Sequence, residues 1–284
     1  MKPSLEIPNV VKFETGNGGL PHVAVTGPLA NATIYRYGAH VTHFQPPGEK
    51  PVLFMTRQAQ FIPGKPIRGG IPIVFPWFGP HPTDTNLPMH GPSRLVEWNL
   101  VSTELRADGA VELVFALPPF LQYRVAIGRE LDLTLEVHNS GQTPFKFEEA
   151  LHTYFCVSDV RQITVTGLEN TRYDSKVENV TGQLQGSDPI RFTGEVDRTY
   201  LNTNTTCIIH DPTWQRRIVV EKRNSDTTQL WNPWIARAKA IPDFGDDEWP
   251  GMVCIETVNA RVNAVTLAPG QTHAMRTIAG VEKI

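Results

Sequence analysis

Charge is scarce in this sequence and nearly balanced: 19% of its 284 residues are charged, with 26 Lys and Arg against 29 Asp and Glu. No basic cluster stands along the chain, which argues against a nucleic-acid partner held by phosphate neutralisation. No run of about 18 apolar residues occurs, so no membrane-spanning helix is expected. The first eight residues lack the roughly 7–15-residue apolar stretch of a secretory leader, and the expected compartment is the cytoplasm. Cysteine is equally sparse. Cys156, Cys207 and Cys254 are odd in number, widely spaced and form no C-x-x-C pair, the usage expected of reduced thiols rather than a disulfide frame.

Helical patterning is the other absence. Hardly any segment repeats apolar residues at i, i+3, i+4 and i+7 over three turns. Short β-branched segments are divided instead by 22 glycines and 24 prolines, spread evenly along the chain. Residues 131–137 alternate apolar and polar strictly, which places four apolar side chains on one face of a strand. Strands are expected also at 111–117, 162–166, 206–210, 217–221 and 262–267, the last ending at the Pro269-Gly270 turn. With 40% apolar residues and six tryptophans the chain can bury a large core. No 20–50-residue repeat and no polar spacer divides it. The expected architecture is all-β, a large antiparallel β-sandwich with few short helices, forming one domain over 1–284.

Four segments carry residues suited to chemistry, and each also has a purely structural reading. Arg68-Gly69-Gly70 offers a planar cation beside glycines that let a ligand approach the backbone; it also reads as a strand-turn with a surface arginine. No G-K-S/T follows, so it is not a phosphate loop of the nucleotide-binding kind. Met89-His90-Gly91-Pro92-Ser93-Arg94 suits a polar pocket lip or a surface turn. His152, set in Glu148-Glu149-Ala150-Leu151-His152-Thr153-Tyr154, is either a satisfied core histidine or a proton donor tuned by carboxylates. Glu256 shares a strand face with Cys254, and cysteine prefers the interior. A carboxylate there is either costly and functional or simply turned to solvent. His40 and His43 lack a third ligand nearby, no G-x-S-x-G is present, and the acidic stretch 243–248 reads as a solvated loop rather than a calcium loop.

The order of these segments resembles one family. Gly69-Gly70-Ile71-Pro72, Phe75-Pro76-Trp77-Phe78-Gly79, His90-Gly91-x-x-Arg94, Leu151-His152-Thr153-Tyr154-Phe155, Trp231-Asn232-Pro233 and Cys254-Ile255-Glu256 are similar to the hexose-6-phosphate mutarotase branch of the aldose 1-epimerases. The resemblance implies a galactose-mutarotase-like sandwich with the sugar on one concave face. By position it implies His152 as general acid and Glu256 as general base, with Arg68 and Arg94 holding the substrate phosphate. Asp197 and His90 match residues that bind sugar hydroxyls and the ring. Pro92-Ser93 and Met89 depart from the family pattern, which bears on substrate preference and leaves the acid–base pair untouched.

The implied activity is interconversion of the α and β anomers of hexose 6-phosphates, glucose 6-phosphate first, by a monomer that needs no cofactor and no metal. A protonated His152 facing an ionised Glu256 is the expected resting state. The alternatives are an aldose 1-epimerase for non-phosphorylated sugars and a catalytically silent carbohydrate-binding protein. A glycosidase on a similar sandwich would usually need two carboxylates where this chain offers one His and one Glu.

Overall fold

In a computed structural model of the chain, residues 5–284 are described; part of the leader reading, residues 1–4, lies outside them. Antiparallel sheets dominate, and the one α-helix among the described residues is short, Trp234–Lys239. No helix among the described residues is long and apolar enough to cross a membrane.

Two eight-stranded sheets form the layers. One contains, as neighbours, Val180–Leu184, Arg172–Ser175, Val196–Leu201, Thr227–Asn232, Met252–Asn259, Glu149–Leu151 and Ile73–Val74, with Tyr154–Cys156 also pairing Met252–Asn259. The other runs Thr164–Thr166, Cys207–Asp211, Arg216–Arg223, Thr272–Lys283, Glu130–His138, Leu121–Ile127, Val111–Leu117, Asn99–Leu105. A four-stranded sheet, Val11–Thr15 to His40–Gln45, adds Val23, Ile34 and Phe44 to the core the large sheets share.

The alternating segment at 131–137 is the strand Glu130–His138, and its burial alternates residue by residue, with Leu131, Leu133, Leu135 and Val137 inside. Burying four such side chains contributes roughly 1.5–3 kcal/mol each. The expected strand at 262–267 is shorter. Arg261–Asn263 forms a 3-10 turn, Val262 is 74% exposed with no sheet to cover it, and pairing begins only at Val265.

Met252–Asn259 is buried at every position because it has neighbours on both faces. Val253 and Ile255 join the core, and Thr257 Oγ1 lies 2.7 Å from Thr277 Oγ1 of the second large sheet. Period two therefore turns Cys254 and Glu256 the other way. The core side also holds an ion pair. Glu149, fully buried, accepts from Asn259 Nδ2 at 2.9 Å and meets His273 Nε2 at 2.9 Å across the sheets. Burial alone would lower the pKa of His273, but the hydrogen bond and charge of Glu149 outweigh it and raise it. A histidine raised above its unfolded value of about 6.5 contributes stability fully present below that pH, and the contribution fades as pH rises through the folded pKa. His273→Gln should therefore lower the urea midpoint more at pH 6 than at pH 9. Equal losses at both would remove the charged pair from the account.

Candidate active site

The polar positions of the first large sheet line a cavity of about 860 Å³. Two consecutive rungs of the sheet run beneath it, and each of their members except the fully buried Cys254 lines it. In one, Asp197, Trp231, Cys254 and Tyr154 are direct neighbours across four strands; in the next, Thr199, Gln229 and Glu256 are. Each strand gives residues two apart, as the pleat requires. Strand pairing is interrupted between Glu149–Leu151 and Tyr154–Cys156, and His152 enters the cavity from that interruption.

His152 Nδ1 stands 3.4 Å from Glu256 Oε1. The imidazole stacks on Tyr154, with centroids 4.7 Å apart and planes within 6°, and meets the edges of Trp231 and His90. Three aromatic neighbours fix the ring's orientation. His152 Nδ1 and Glu256 Oε2 are nevertheless buried without a hydrogen-bond partner, an uncommon state for polar atoms. Burial pushes His152 well below the usual histidine range, with His90, Arg94 and Arg68 adding to the effect. Burial also pushes Glu256, 2% exposed, well above the carboxylate range; Asp197 adds to this and Arg94 opposes it. Desolvation therefore acts against both charges of the expected ionic pair. Neutral and ionic forms hold the same number of protons and differ by one transfer within the pair.

Gln229 is clamped. Its Nε2 donates to Asp197 Oδ1 at 2.6 Å, and its Oε1 accepts from Thr199 Oγ1 at 2.6 Å. His90 Nδ1 accepts the Gly79 N–H at 3.0 Å, so the neutral ring carries its proton on Nε2. Burial, reinforced by Arg94 and Arg68, lowers its pKa to about 3, and His90 is neutral at any working pH. Gly91 follows because a Cβ there would lie 1.8 Å from the Phe75 carbonyl oxygen, at φ +75°. Gly70, read above as room for a ligand, answers the same need: its Cβ would meet the Val41 carbonyl oxygen at 2.3 Å.

Arg68 lines the cavity and is held from behind. Its Nε and Nη2 donate to Asp243 Oδ1 at 3.2 and 3.0 Å, and Nη1 donates to the Tyr154 hydroxyl at 3.3 Å. Burial works against its charge, but Tyr154 and Asp243 more than offset that and raise its pKa. Five of the six residues singled out in the sequence (Arg68, His90, His152, Asp197 and Glu256) thus share one cavity. Arg94 lies just behind its wall, buried, with Nη2 donating to the Met89 carbonyl at 2.8 Å. Desolvation lowers its pKa to about 10, which leaves it charged at neutrality.

The stretch 243–248 is more than a solvated loop. Asp243 positions Arg68, and the largely buried Glu248 accepts from Thr56 Oγ1 and from the backbone N–H groups of Arg57 and Gly245. Asp246 and Asp247 are the exposed members, with Asp247 paired to Arg57. The sequence reading also missed Gln229, Thr199 and Asp243 as site residues.

The aldose 1-epimerase family model matches residues 22–279. The chain belongs to the aldose 1-epimerase family. A Cenchrus ciliaris protein named as a glucose-6-phosphate 1-epimerase is 35% identical over 260 residues, covering 84% of this epimerase and 78% of that protein. An Escherichia coli K12 protein of the same name is 32% identical over 250 residues, covering 84% and 83%. The crystal structure of the Salmonella typhimurium mutarotase YeaD superposes with a TM-score of 0.90 at 29% identity, covering 99% of this epimerase and 97% of that chain. The galactose-mutarotase-like sandwich implied by the sequence is therefore the fold of this epimerase, which is a mutarotase-type isomerase.

Proposed function

We propose that this epimerase interconverts the α and β anomers of hexose 6-phosphates, with glucose 6-phosphate the expected substrate. The observation that carries the chemistry is the contact between two unsatisfied proton carriers, His152 and Glu256, on the cavity floor. Mutarotation needs one proton removed from the anomeric hydroxyl O1 and one delivered to the ring oxygen O5. Both oxygens are bonded to C1, so two groups in contact with each other can reach them together.

Glu256 takes the O1 proton as His152 protonates O5. The C1–O5 bond breaks, C1=O1 forms the free aldehyde, and rotation about C1–C2 presents the other carbonyl face. Closure returns both protons by the reverse transfers. The sugar's hydroxyls offset part of the desolvation that opposes the ionic pair. A phosphate dianion cancels part of the Arg68 and Arg94 field that depresses His152, so the bound substrate favours the ionic pair that reacts. Gln229, with its amide fixed by Asp197 and Thr199, and Asp197 itself are placed to orient sugar hydroxyls. Each positioned proton transfer contributes about 10²–10⁴ in rate.

Support for a phosphorylated sugar comes from Arg68 facing the cavity with Arg94 charged behind it, and from the names of the relatives. Three unpaired thiols fit a reducing, cytoplasmic setting. The test is anomeric exchange by NMR on glucose 6-phosphate with glucose as the paired control. Acceleration confined to the phosphate sugar is expected. Equal acceleration of both would make the arginines general pocket residues, and acceleration of neither would remove the activity. Arg68→Lys loses the planar fork that engages Asp243 and an anion together. It should raise KM for glucose 6-phosphate by about tenfold, the worth of roughly one charge-assisted hydrogen bond. An unchanged KM there and in Arg94→Lys would sink the phosphate assignment.

A further inference from the structure

The mutarotase chemistry uses His152 and Glu256 but leaves Cys254 unassigned. Its side chain shares the cavity face of the Met252–Asn259 strand with Glu256, and the ligand-type atoms of Cys254, Glu256 and His152 all lie within 4.8 Å of one another. We propose that these three side chains form a capture site for a thiophilic divalent cation, zinc or cadmium, which inhibits the enzyme by occupying its acid and its base.

Three observations carry this. The first is spacing. Zinc bonds of about 2.0–2.3 Å in a tetrahedron place two ligand atoms roughly 3.4–3.6 Å apart. His152 Nδ1 and Glu256 Oε1 already stand at 3.4 Å, and the Cys254 thiol, within 4.8 Å of both, needs a shift of no more than about 1.4 Å. The second is unmet valence. His152 Nδ1 and Glu256 Oε2 are buried without a hydrogen-bond partner, so a cation there displaces no protein hydrogen bond of either atom. The third is charge. A thiolate and a carboxylate with a neutral imidazole cancel a dication, and a buried site tolerates a neutral assembly. Arg94 and Arg68 both oppose the cation, Arg68 in part offset by its pairing with Asp243. The site therefore suits cations that gain from a sulfur ligand, not magnesium or calcium, which prefer oxygen. Three protein ligands would leave a fourth coordination position for water or a sugar hydroxyl.

The test uses the full chain freed of metal. Cadmium(II) and cobalt(II) are titrated in while thiolate-to-metal charge-transfer absorption is followed, a readout that needs no turnover and so stands apart from the proposed activity. A Cys156→Ser/Cys207→Ser variant should keep the band at one equivalent. Cys254→Ser and Cys254→Ala should lose it, and zinc inhibition of each variant is read against that variant's own metal-free rate. In the NMR assay zinc(II) should inhibit the wild type, glucose 6-phosphate should protect, and EDTA should reverse the effect. The Cys254 variants should need about 10–100-fold more zinc, the usual scale for damage to a metal site. Magnesium at the same concentrations should do nothing. A wild-type band that survives in both Cys254 variants, absence of any band, or undiminished zinc inhibition of those variants would each overturn the proposal.

Discussion

Glu256→Gln should lower kcat for glucose 6-phosphate anomerisation by about 10³ while leaving the dissociation constant within about threefold, since a single positioned proton transfer contributes 10²–10⁴. The substitution keeps the shape of the side chain and removes only its capacity to take a proton. Gln229 and Cys254 beside it need no repacking, because the amide fills the volume the carboxyl filled. The fold should not suffer either. Glu256 is 2% exposed and burial acts against its charge, pushing its pKa well above the carboxylate range, so a neutral amide removes a buried group that desolvation disfavours. The variant should melt at or above the wild-type temperature, the pattern of a residue kept for chemistry at the expense of stability. Exchange spectroscopy supplies the rate and calorimetry the binding. Loss of binding in step with loss of rate would make Glu256 a structural residue.

The two rungs of the cavity floor explain what could be read in advance. His152 and Glu256 were visible because each sits in a run of apolar and aromatic residues where a titratable group is conspicuous. Asp197 was reached only through resemblance. Gln229 and Thr199 carry a signal that was available and not used: each lies two residues from a recognised neighbour, Trp231 and Asp197, and period two places such pairs on one face. Asp243 had no such signal. It meets Arg68 across 175 residues, and neither residue's surroundings in sequence announce the other.

The strands of the second large sheet were legible where one face is buried and the other wet, as in Glu130–His138. Met252–Asn259, buried on both faces, shows no alternation, and its carboxylate reads equally as surface or interior. The charge states of the acid–base pair were beyond the sequence altogether. They depend on desolvation at the bottom of a cavity that four strands and an interruption between two of them assemble.

Arg216→Met should lower the free energy of unfolding by about 3–5 kcal/mol, the scale for removing one partner of a buried charged network. Arg216 opens the strand Arg216–Arg223 at 1% exposure, and its guanidinium donates to three backbone carbonyls, those of Lys50, Pro51 and Cys156, at 2.9, 3.1 and 2.7 Å. It lies over the Trp214 ring at 4.7 Å. Across the ladder from it sits Asp211, fully buried, which accepts from the Ser158 amide and hydroxyl at 2.9 and 2.5 Å. One cation thus ties the loop at 50–51 and the end of the Tyr154–Cys156 strand to the opposite sheet. Methionine matches its stem but leaves those carbonyls without this donor and Asp211 without a neighbouring cation. Folding stability, not chemistry, should suffer. Tyr154, which stacks on His152, is placed by its pairing with Cys254 as well as by the end of its own strand, so kcat per folded molecule should stay within about threefold, less than one charge-assisted hydrogen bond is worth. Urea unfolding followed by tryptophan fluorescence gives the first quantity and anomer exchange well below the midpoint gives the second. A loss under about 1 kcal/mol would mean that water replaces the guanidinium at those carbonyls. A large fall in kcat at full folding would mean that the tie reaches the active site through Tyr154.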